Sequence, residues 1–406
     1  MTPPRIPIAF IGNEMPPYRR HLLECLAEGL SGVPGVELHC LFTHDPAMLS
    51  MPWEDDGTSP IRPVYFDDPI RHHDRREPRR ERRLARRIAD YLTQHGVRLV
   101  ILHGYNDFCR RWLIRWADDR GLPLIVRGDS NILADGRLPA WKLLLKRLML
   151  RPLLRRAAGT ASMGRAGQAF FRFYADSDRP NFYLPCYPDL DAIRQAVQDV
   201  PTDWMMTQGL DPDRSRFLYS GRLVPHKGVD RLIDAFAEVA EGRPEWDLLI
   251  CGDGPEGDTL QSRVPENLRG RVAWLGFQQF DGVCRAYAAS DVLVHPSTFE
   301  PWGIVITEAM AAGLPVVATS VTGAAFELVE PGVNGELVEP GDHRSLVRAM
   351  AWASDPVRRD DLSEASRQRI EDWRRDMHPG RGVADIMHHF GLTSVAPTPT
   401  REGSRR

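Results

Sequence analysis

Two glutamates, Glu300 and Glu308, stand where an apolar, strand-like run gives way to a helical one. Pro301 disfavours helical geometry at Glu300, so the helix is expected to begin after it. Gly303 then allows a ligand to approach the backbone closely. The free N–H groups of a helix N-terminus suit a diphosphate, and two carboxylates would repel that group unless they faced neutral sugar and ribose hydroxyls. The segment therefore predicts a nucleotide-sugar site.

The cations that such a diphosphate needs lie upstream, in a glycine-bracketed loop between a predicted strand and a predicted helix. Arg222 offers a planar fork for two phosphate oxygens, and Lys227 offers a compact point charge. The chain has 52 basic residues but only three lysines, at positions 142, 146 and 227, which suggests that arginine would not serve at position 227. Together the two cations could neutralise a leaving nucleoside diphosphate without a metal. The simpler alternative is a strand-turn-helix with solvated basic residues.

Several motifs recur in the same order in a known family. They are Gly221-Arg222…Lys227-Gly228, Gly252-Asp-Gly-Pro-Glu256, Glu300-x7-Glu308, the run Glu308–Ala318, Gly332-x-x-Gly335 and Pro340-Gly-Asp342. This set resembles the retaining glycosyltransferases of family 4, which have the GT-B fold. The match is dense from about Phe217 to Met350 and looser over the first half of the chain.

The resemblance implies roles for individual residues. Arg222 and Lys227 would bind the donor diphosphate, Glu300 would hold hydroxyls of the transferred sugar, and Glu308 would hold the ribose. We assign catalysis to Arg222, Lys227 and Glu300. The donor-binding residues are expected to be Gly221, Gly252, Gly254, Phe277, Gly303, Ile304, Val305 and Glu308. The implied reaction retains anomeric configuration and needs neither a metal nor a cofactor.

The first half departs from the family where the acceptor is expected to bind. The loop over residues 12–20 lacks the glycines that relatives often have after the first strand. A later loop has Asp129 where relatives often have a histidine. We name Tyr18, His103 and Asp129 as acceptor-side candidates. His103, at the end of a predicted strand, is either an acceptor contact or a histidine that merely ends the strand.

Short apolar runs alternate with longer amphipathic ones, which predicts an α/β chain with parallel sheets. The resemblance implies the GT-B fold, with two Rossmann-like domains facing across a cleft and a C-terminal helix that returns to the first domain. We expect an acceptor-binding domain over 1–195, a donor-binding domain over 196–375, a helix crossing back over 376–392 and a disordered tail over 393–406. Residues 184–212 are expected to form the linker, and Pro379-Gly380 should divide the last helical stretch in two.

Composition narrows the function classes further. A chain of 406 residues with 42% apolar content is long enough for two cores, and its net charge of −3 gives no general attraction to nucleic acid. Six cysteines without C-x-x-C pairs are typical of reduced core residues. Neither a signal peptide nor a run of the ~20 apolar residues that span a bilayer is evident. We therefore expect a cytoplasmic protein, with any membrane association peripheral to the inner face.

Two segments of the first half admit more than one interpretation. Arg71–Arg87 carries nine arginines; we favour a solvated helix beginning at Pro78, and the alternative is a basic patch that contacts an anionic acceptor or an anionic membrane. Trp141–Leu154 is apolar with scattered basic residues. We interpret it as a packing helix of the first domain, broken at Pro152, rather than as a membrane anchor. Three Asp-x-Asp triplets lie in or near the linker, so no metal site is expected.

The sequence thus predicts transfer of a hexose-type sugar from a nucleotide-sugar donor to an acceptor hydroxyl, in the biosynthesis of a glycan, a polysaccharide or a glycolipid. The acceptor would be a glycan, a lipid-linked species or a small molecule, and no nucleic-acid partner is expected. Two alternatives stay open. One is another GT-B activity, such as a retaining phosphorylase or a sugar synthase. The other is a non-catalytic nucleotide-sugar-binding protein.

Overall fold

The computed structural model describes residues 5–44, 59–66, 78–175, 178–198 and 202–393. Contacts divide the chain into two compact units. Unit 1 comprises Met1–Tyr187 and Asp376–Arg406, and unit 2 comprises Pro188–Arg375. The basic residues 71–77 and all of the tail except Thr393 lie outside the described residues. No helix among the described residues is both long enough and apolar enough to cross a bilayer.

Unit 1 is built on a parallel sheet. Its strands within the described residues are β1 (Ile6–Gly12), β2 (Val36–Phe42), β3 (Pro63–Tyr65), β4 (Leu99–His103), β5 (Leu124–Gly128), β6 (Gly159–Ser162) and β7 (Asn181–Tyr183), in the order β3-β2-β1-β4-β5-β6-β7. The connecting helices are α1 (Pro17–Leu30), α2 (Pro78–Gln94), α3 (Phe108–Asp118), α4 (Ala140–Leu154) and α5 (Arg165–Tyr174). The central strands are buried along their whole length, as expected of a parallel sheet covered on both faces.

Unit 2 repeats this plan with a second parallel sheet. Its strands within the described residues are β8 (Ser215–Ser220), β9 (Trp246–Cys251), β10 (Val272–Gly276), β11 (Val292–His295), β12 (Val316–Thr319) and β13 (Gly335–Val338), in the order β10-β9-β8-β11-β12-β13. The helices are α6 (Leu190–Ala196), α7 (Thr202–Thr207), α8 (Val229–Gly242), α9 (Gly257–Arg263), α10 (Phe280–Ala288), α11 (Ile304–Ala311), α12 (Gly323–Leu328), α13 (His343–Ala353) and α14 (Arg359–Asp376). β8 and β11 are neighbours, so the loops after them share one edge of the sheet.

The chain returns to unit 1 through α15 (Pro379–His389). Pro379 at its first turn ends α14 and starts the new helix, as the sequence predicted. α15 packs against α1 at a glycine pair, because a Cβ on Gly29 would lie 2.4 Å from the Cα of Gly380. Two helices can approach this closely only where neither carries a side chain.

The structure corrects the interpretation of residues 184–212 as a plain linker. The segment contains the two short helices α6 and α7. Asp189 caps α6 by accepting a hydrogen bond from the Ala192 amide, and α6 packs against α10 and α11 of unit 2. The division between the units accordingly falls after Tyr187, earlier than residue 195.

The interpretation of residues 141–154 as a packing helix was also wrong in part. Pro152 does not break α4, since it lies in the last turn of a helix that runs to Leu154. Leu150, Leu153 and Leu154 pack into unit 1, but the opposite, apolar face of α4 is exposed.

Candidate functional site

The loops after β8 and β11 meet at a glycine. Residues 225–227 form a short 3₁₀ turn that ends at Gly228, which has φ +69°. A Cβ on Gly228 would lie 2.6 Å from the carbonyl oxygen of Pro296, and the Thr298 amide donates to the His226 carbonyl at 2.8 Å. Both the backbone conformation and the close approach require glycine here. The turn thereby carries Lys227 to the loop that contains Glu300.

Lys227, Glu300 and His295 form the centre of the site. The Lys227 ammonium donates to Glu300 Oε2, and His295 Nε2 lies 3.3 Å from the same oxygen. The His295 ring is 1% exposed, and Ser297 Oγ lies 3.0 Å from its Nε2. The two sequence-predicted residues, 73 positions apart, are therefore brought into direct contact, and a buried histidine completes the cluster.

The cluster keeps Glu300 ionised. Burial by itself would raise the pKa of Glu300, but the His295 hydrogen bond and the Lys227 charge outweigh it and hold the pKa at about 2. Burial and the nearby ammonium lower the pKa of His295, so the ring is neutral. Because a carboxylate only accepts hydrogen bonds, the neutral ring presents its Nε2–H to Glu300. Glu300 is thus a fixed hydrogen-bond acceptor over the whole neutral pH range.

The N-terminus of α11 supplies backbone donors beside Glu300. Gly303 precedes the helix with φ +87°, and a Cβ there would lie 2.8 Å from Thr322 Cγ2. Among the described residues, the amides of Gly303, Ile304 and Val305 have no hydrogen-bond acceptor. Such amides at a helix N-terminus favour an anion. That these three residues bind a diphosphate stays a prediction.

The loops after β8 and β9 touch through glycine backbone. A Cβ on Gly252 would lie 1.8 Å from the Gly221 carbonyl oxygen, and a Cβ on Gly254 would lie 2.3 Å from the Leu223 carbonyl oxygen. Gly221 and Gly252 have φ of +146° and +144°. Arg222 projects from this junction. It is exposed, and its guanidinium has no hydrogen-bond partner among the described residues, so it is available to a ligand.

Glu308 has a different environment from Glu300. It lies within α11, half-buried, and the buried Tyr287 hydroxyl donates to its Oε2 at 2.8 Å. Burial raises the pKa of Glu308 to about 7, although the Tyr287 hydrogen bond opposes the shift. The carboxylate therefore carries a proton for part of the neutral pH range. Phe277, the remaining donor-side candidate, is half-buried in the loop after β10, next to Gly276 with φ +65°.

The three acceptor-side candidates lie in unit 1, near the carboxyl ends of its central strands. His103 is buried, and its Nδ1 accepts a hydrogen bond from Arg127 Nη1 at 3.0 Å. Burial, reinforced by three nearby arginines, holds the pKa of His103 well below its usual value. Tyr18 is half-buried at the start of α1, with a pKa that burial raises to about 12. Asp129 follows β5 and is exposed.

Arg127 was not singled out in the sequence, yet in the structure it is a centre of hydrogen bonding in unit 1. It is fully buried, and it donates to the carbonyl oxygens of Leu184 and Pro185 as well as to His103. The ring of His103 is thus engaged by a structural arginine. His295 was also missed in the sequence. The available signal was its position, since it is a polar residue at the end of a buried strand.

Metal ligation has no visible basis in the described part of the chain, where no three His, Cys, Asp or Glu side chains are grouped to hold an ion. The six cysteines are free, and all but Cys186 are buried. That the reaction needs no metal stays a prediction.

Comparison with known proteins finds a family that is similar to part of the chain. The family "Glycosyl transferases group 1" matches residues 202–369. A GDP-mannose-dependent monoacylated alpha-(1-6)-phosphatidylinositol monomannoside mannosyltransferase of Corynebacterium glutamicum is 35% identical over 209 residues, which are 49% of this chain and 54% of that protein. The chain spans only about a third to a half of the first curated relatives it matches.

Solved structures match over almost the whole chain. The sucrose-phosphate synthase of Thermosynechococcus elongatus is 21% identical with a TM-score of 0.70, covering 96% of this chain and 98% of that one. The Anabaena protein HepE, solved in complex with UDP and glucose, is 22% identical with a TM-score of 0.69, covering 96% of this chain and all of that one. The GT-B class and the resemblance read from the motifs are confirmed. Residues 202–369 are thus similar to the glycosyltransferase group 1 family, within a chain that has the GT-B fold.

Proposed function

We propose that this protein transfers a sugar from a nucleoside-diphosphate sugar to an acceptor hydroxyl, with retention of anomeric configuration and without a metal. The observation that carries the proposal is the contact of Lys227 with Glu300 beside the amides of Gly303, Ile304 and Val305, which have no acceptor among the described residues. A cation, an ionised carboxylate and a set of backbone donors thus lie at one edge of the unit 2 sheet. Relatives named for GDP-mannose, and a solved structure holding UDP and glucose, support a nucleoside-diphosphate donor.

The groups have complementary tasks in such a reaction. Lys227, Arg222 and the α11 amides stabilise the negative charge that develops on the departing diphosphate. Glu300, ionised and held by His295, accepts hydrogen bonds from sugar hydroxyls. Glu308 accepts them from the ribose. In this proposal an oxygen of the leaving diphosphate takes the acceptor proton itself. Donors placed in advance around developing charge are worth about 10²–10³ in rate each.

The experiment measures release of nucleoside diphosphate from a panel of UDP-, GDP-, dTDP- and ADP-sugars, with and without EDTA. One donor family should support turnover that EDTA does not reduce. Lys227→Ala should lower kcat by about 10²–10³, while the variant still folds, although loss of the partner of Glu300 lowers its stability. Arg263→Ala is the matched control, since Arg263 is an exposed cation of unit 2 that pairs with Asp234; it should leave turnover unchanged.

Three results would contradict the proposal. Turnover that disappears with EDTA and returns with a divalent cation would refute metal independence. The coupling constant of the anomeric proton gives the configuration of the product. A configuration opposite to that of the donor would refute retention. Tight binding of a donor with no hydrolysis or transfer would instead favour a non-catalytic nucleotide-sugar-binding protein.

A further inference from the structure

The outward face of α4 is apolar. Five large side chains at helical spacing are between 51% and 64% exposed: Trp141, Leu144, Leu145, Leu148 and Met149. The spacing i, i+3, i+4, i+7, i+8 puts them on one stripe of the helix. Single exposed apolar side chains are ordinary, but a contiguous group of this kind marks a surface that meets something other than water.

Two charged side chains of α4, those of Lys146 and Arg147, contact other residues of unit 1. Lys146 forms an ion pair with the buried carboxylate of Asp135, 2.8 Å from both of its oxygens. Its ammonium also lies 5.0 Å from the centre of the Tyr174 ring, and the Tyr174 hydroxyl donates to Asp135 as well. Arg147 lies over the Phe173 ring at 4.9 Å. These contacts fix the rotation of the helix about its axis. As a result α4 exposes apolar side chains and turns Lys146 and Arg147 inward, the reverse of an ordinary helix on a water-facing surface.

The surroundings of this face are basic. Residues 136–175 contain no Asp or Glu, although these residues number 55 in the whole chain. The same stretch contains nine basic residues: Arg137, Lys142, Lys146, Arg147, Arg151, Arg155, Arg156, Arg165 and Arg172. Lys142, beside Trp141, is exposed on the edge of the apolar stripe. Lys146 and Arg156 pair with carboxylates from outside this stretch. An apolar stripe in a stretch of sequence with an excess of cations fits a surface that is apolar inside and anionic at its boundary.

We propose that α4 binds in the interface of an anionic phospholipid surface, with Trp141, Leu144, Leu145, Leu148 and Met149 inserted among the acyl chains and the flanking cations against the headgroups. The helix has 15 residues, too short for the ~20 needed to span a bilayer, so it lies in the plane of the interface. A second copy of the chain is a poorer occupant, because two such segments would bring their like charges together.

The experiment is flotation of the full-length protein with vesicles of phosphatidylcholine, with or without phosphatidylglycerol. The protein should float with the anionic vesicles, and raising NaCl from about 0.1 M to about 1 M should weaken binding, since salt screens the cations. The double variant Leu145→Asp/Leu148→Asp should partition at least about tenfold more weakly. Met206→Asp/Val357→Asp is the matched control, as both are exposed apolar side chains of unit 2, and it should bind like the parent chain.

A second measurement does not depend on the folding of the double variant. Trp141 fluorescence, taken as the difference between the parent chain and Trp141→Phe, should be quenched by brominated acyl chains. Absence of flotation, or binding that neither salt nor the double variant affects, would overturn the proposal. So would a lipid-free dimer that dissociates in Leu145→Asp/Leu148→Asp while neither protein binds vesicles, because the occupant would then be a second copy.

Discussion

Environment separates Glu300 and Glu308 more sharply than their sequence does. Glu300 accepts from Lys227 and His295, and its pKa stays at about 2. Glu308 accepts from the hydroxyl of Tyr287, and burial raises its pKa to about 7. Glu300 is therefore ready to accept hydrogen bonds before the donor binds. Glu308 becomes a better hydrogen-bond acceptor once hydroxyl groups surround it.

The raised pKa of Glu308 predicts that ionisation of its carboxyl group lowers the stability of the folded protein, to an extent that depends on pH. Between pH 4.5 and about 7 the folded state holds a proton that the unfolded state has released, so stability falls as pH rises through this window and the full cost is present above it. Replacement Glu308→Gln removes the cost and keeps the acceptor for Tyr287. The free energy of unfolding of the variant, relative to the parent chain, should rise by about 1–3 kcal/mol from pH 5 to pH 8, as measured by urea denaturation.

Glu266→Gln provides the comparison, since Glu266 is an exposed glutamate of the same unit. Its stability relative to the parent chain should stay level over that pH range. A Glu308→Gln difference that is independent of pH would show that the carboxylate is not the titrating group.

At the scale of the elements, the candidate site depends on loops that pack through backbone alone. The loop after β9 approaches the loop after β8 so closely that residue 252 has no room for a side chain. The Gly221 amide also donates to the Cys251 carbonyl at 3.0 Å. Each loop therefore sets the position of the other, and through it the positions of Arg222 and Lys227.

Gly252→Ala should destabilise the protein by at least about 2 kcal/mol, because the new Cβ would overlap the Gly221 carbonyl and the residue would have to adopt an unfavourable φ. Urea denaturation measures the loss, and a donor-induced thermal shift should weaken in parallel. Gly270→Ala is the control, since a Cβ there would meet nothing within 4 Å. Equal stabilities of the two variants would contradict the backbone-packing argument.

Sequence patterns predicted the features that depend on neighbouring residues. They did not predict features that depend on contacts between residues far apart in the sequence. Apolar runs located most strands, and Gly303 with Pro301 located the start of α11. The loops could thus be assigned to strand ends before any contact was known. The environment of Glu308 was not predictable, because Tyr287 lies on another helix. The rotation of α4 was not predictable either, since leucines occur on both of its faces and the deciding contact, Lys146 with Asp135, depends on a residue outside the helix.

At the scale of the whole molecule, the chain enters unit 1, leaves it after Tyr187 and comes back at Asp376. The returning helix α15 closes over α1, with Gly380 against Gly29. Its buried residues include Val383, Ile386 and Met387. Unit 1 is thus completed by residues that are far from its sheet in the sequence.

Gly29→Ala should loosen α15, because the added Cβ would lie 2.4 Å from the Gly380 Cα. Amide hydrogen exchange over Pro379–His389 should accelerate by at least about tenfold, which corresponds to a loss of about 1.4 kcal/mol in local stability. Gly32→Ala is the control, because a Cβ there would meet nothing within 4 Å. Unchanged exchange in Gly29→Ala would mean that α15 is held without this contact.

Unit 1 is formed by two separate stretches of the chain, and this sets the order in which the units can be completed on the ribosome. Unit 2 is one continuous stretch, so every residue of its sheet and helices has been synthesised before α15 emerges. The nascent first unit, in contrast, has its sheet early but leaves the α15-binding side of α1 uncovered until α15 has been synthesised. An inserted unit therefore can be complete while its host still lacks α15, and during that interval the uncovered side of α1 is open to aggregation.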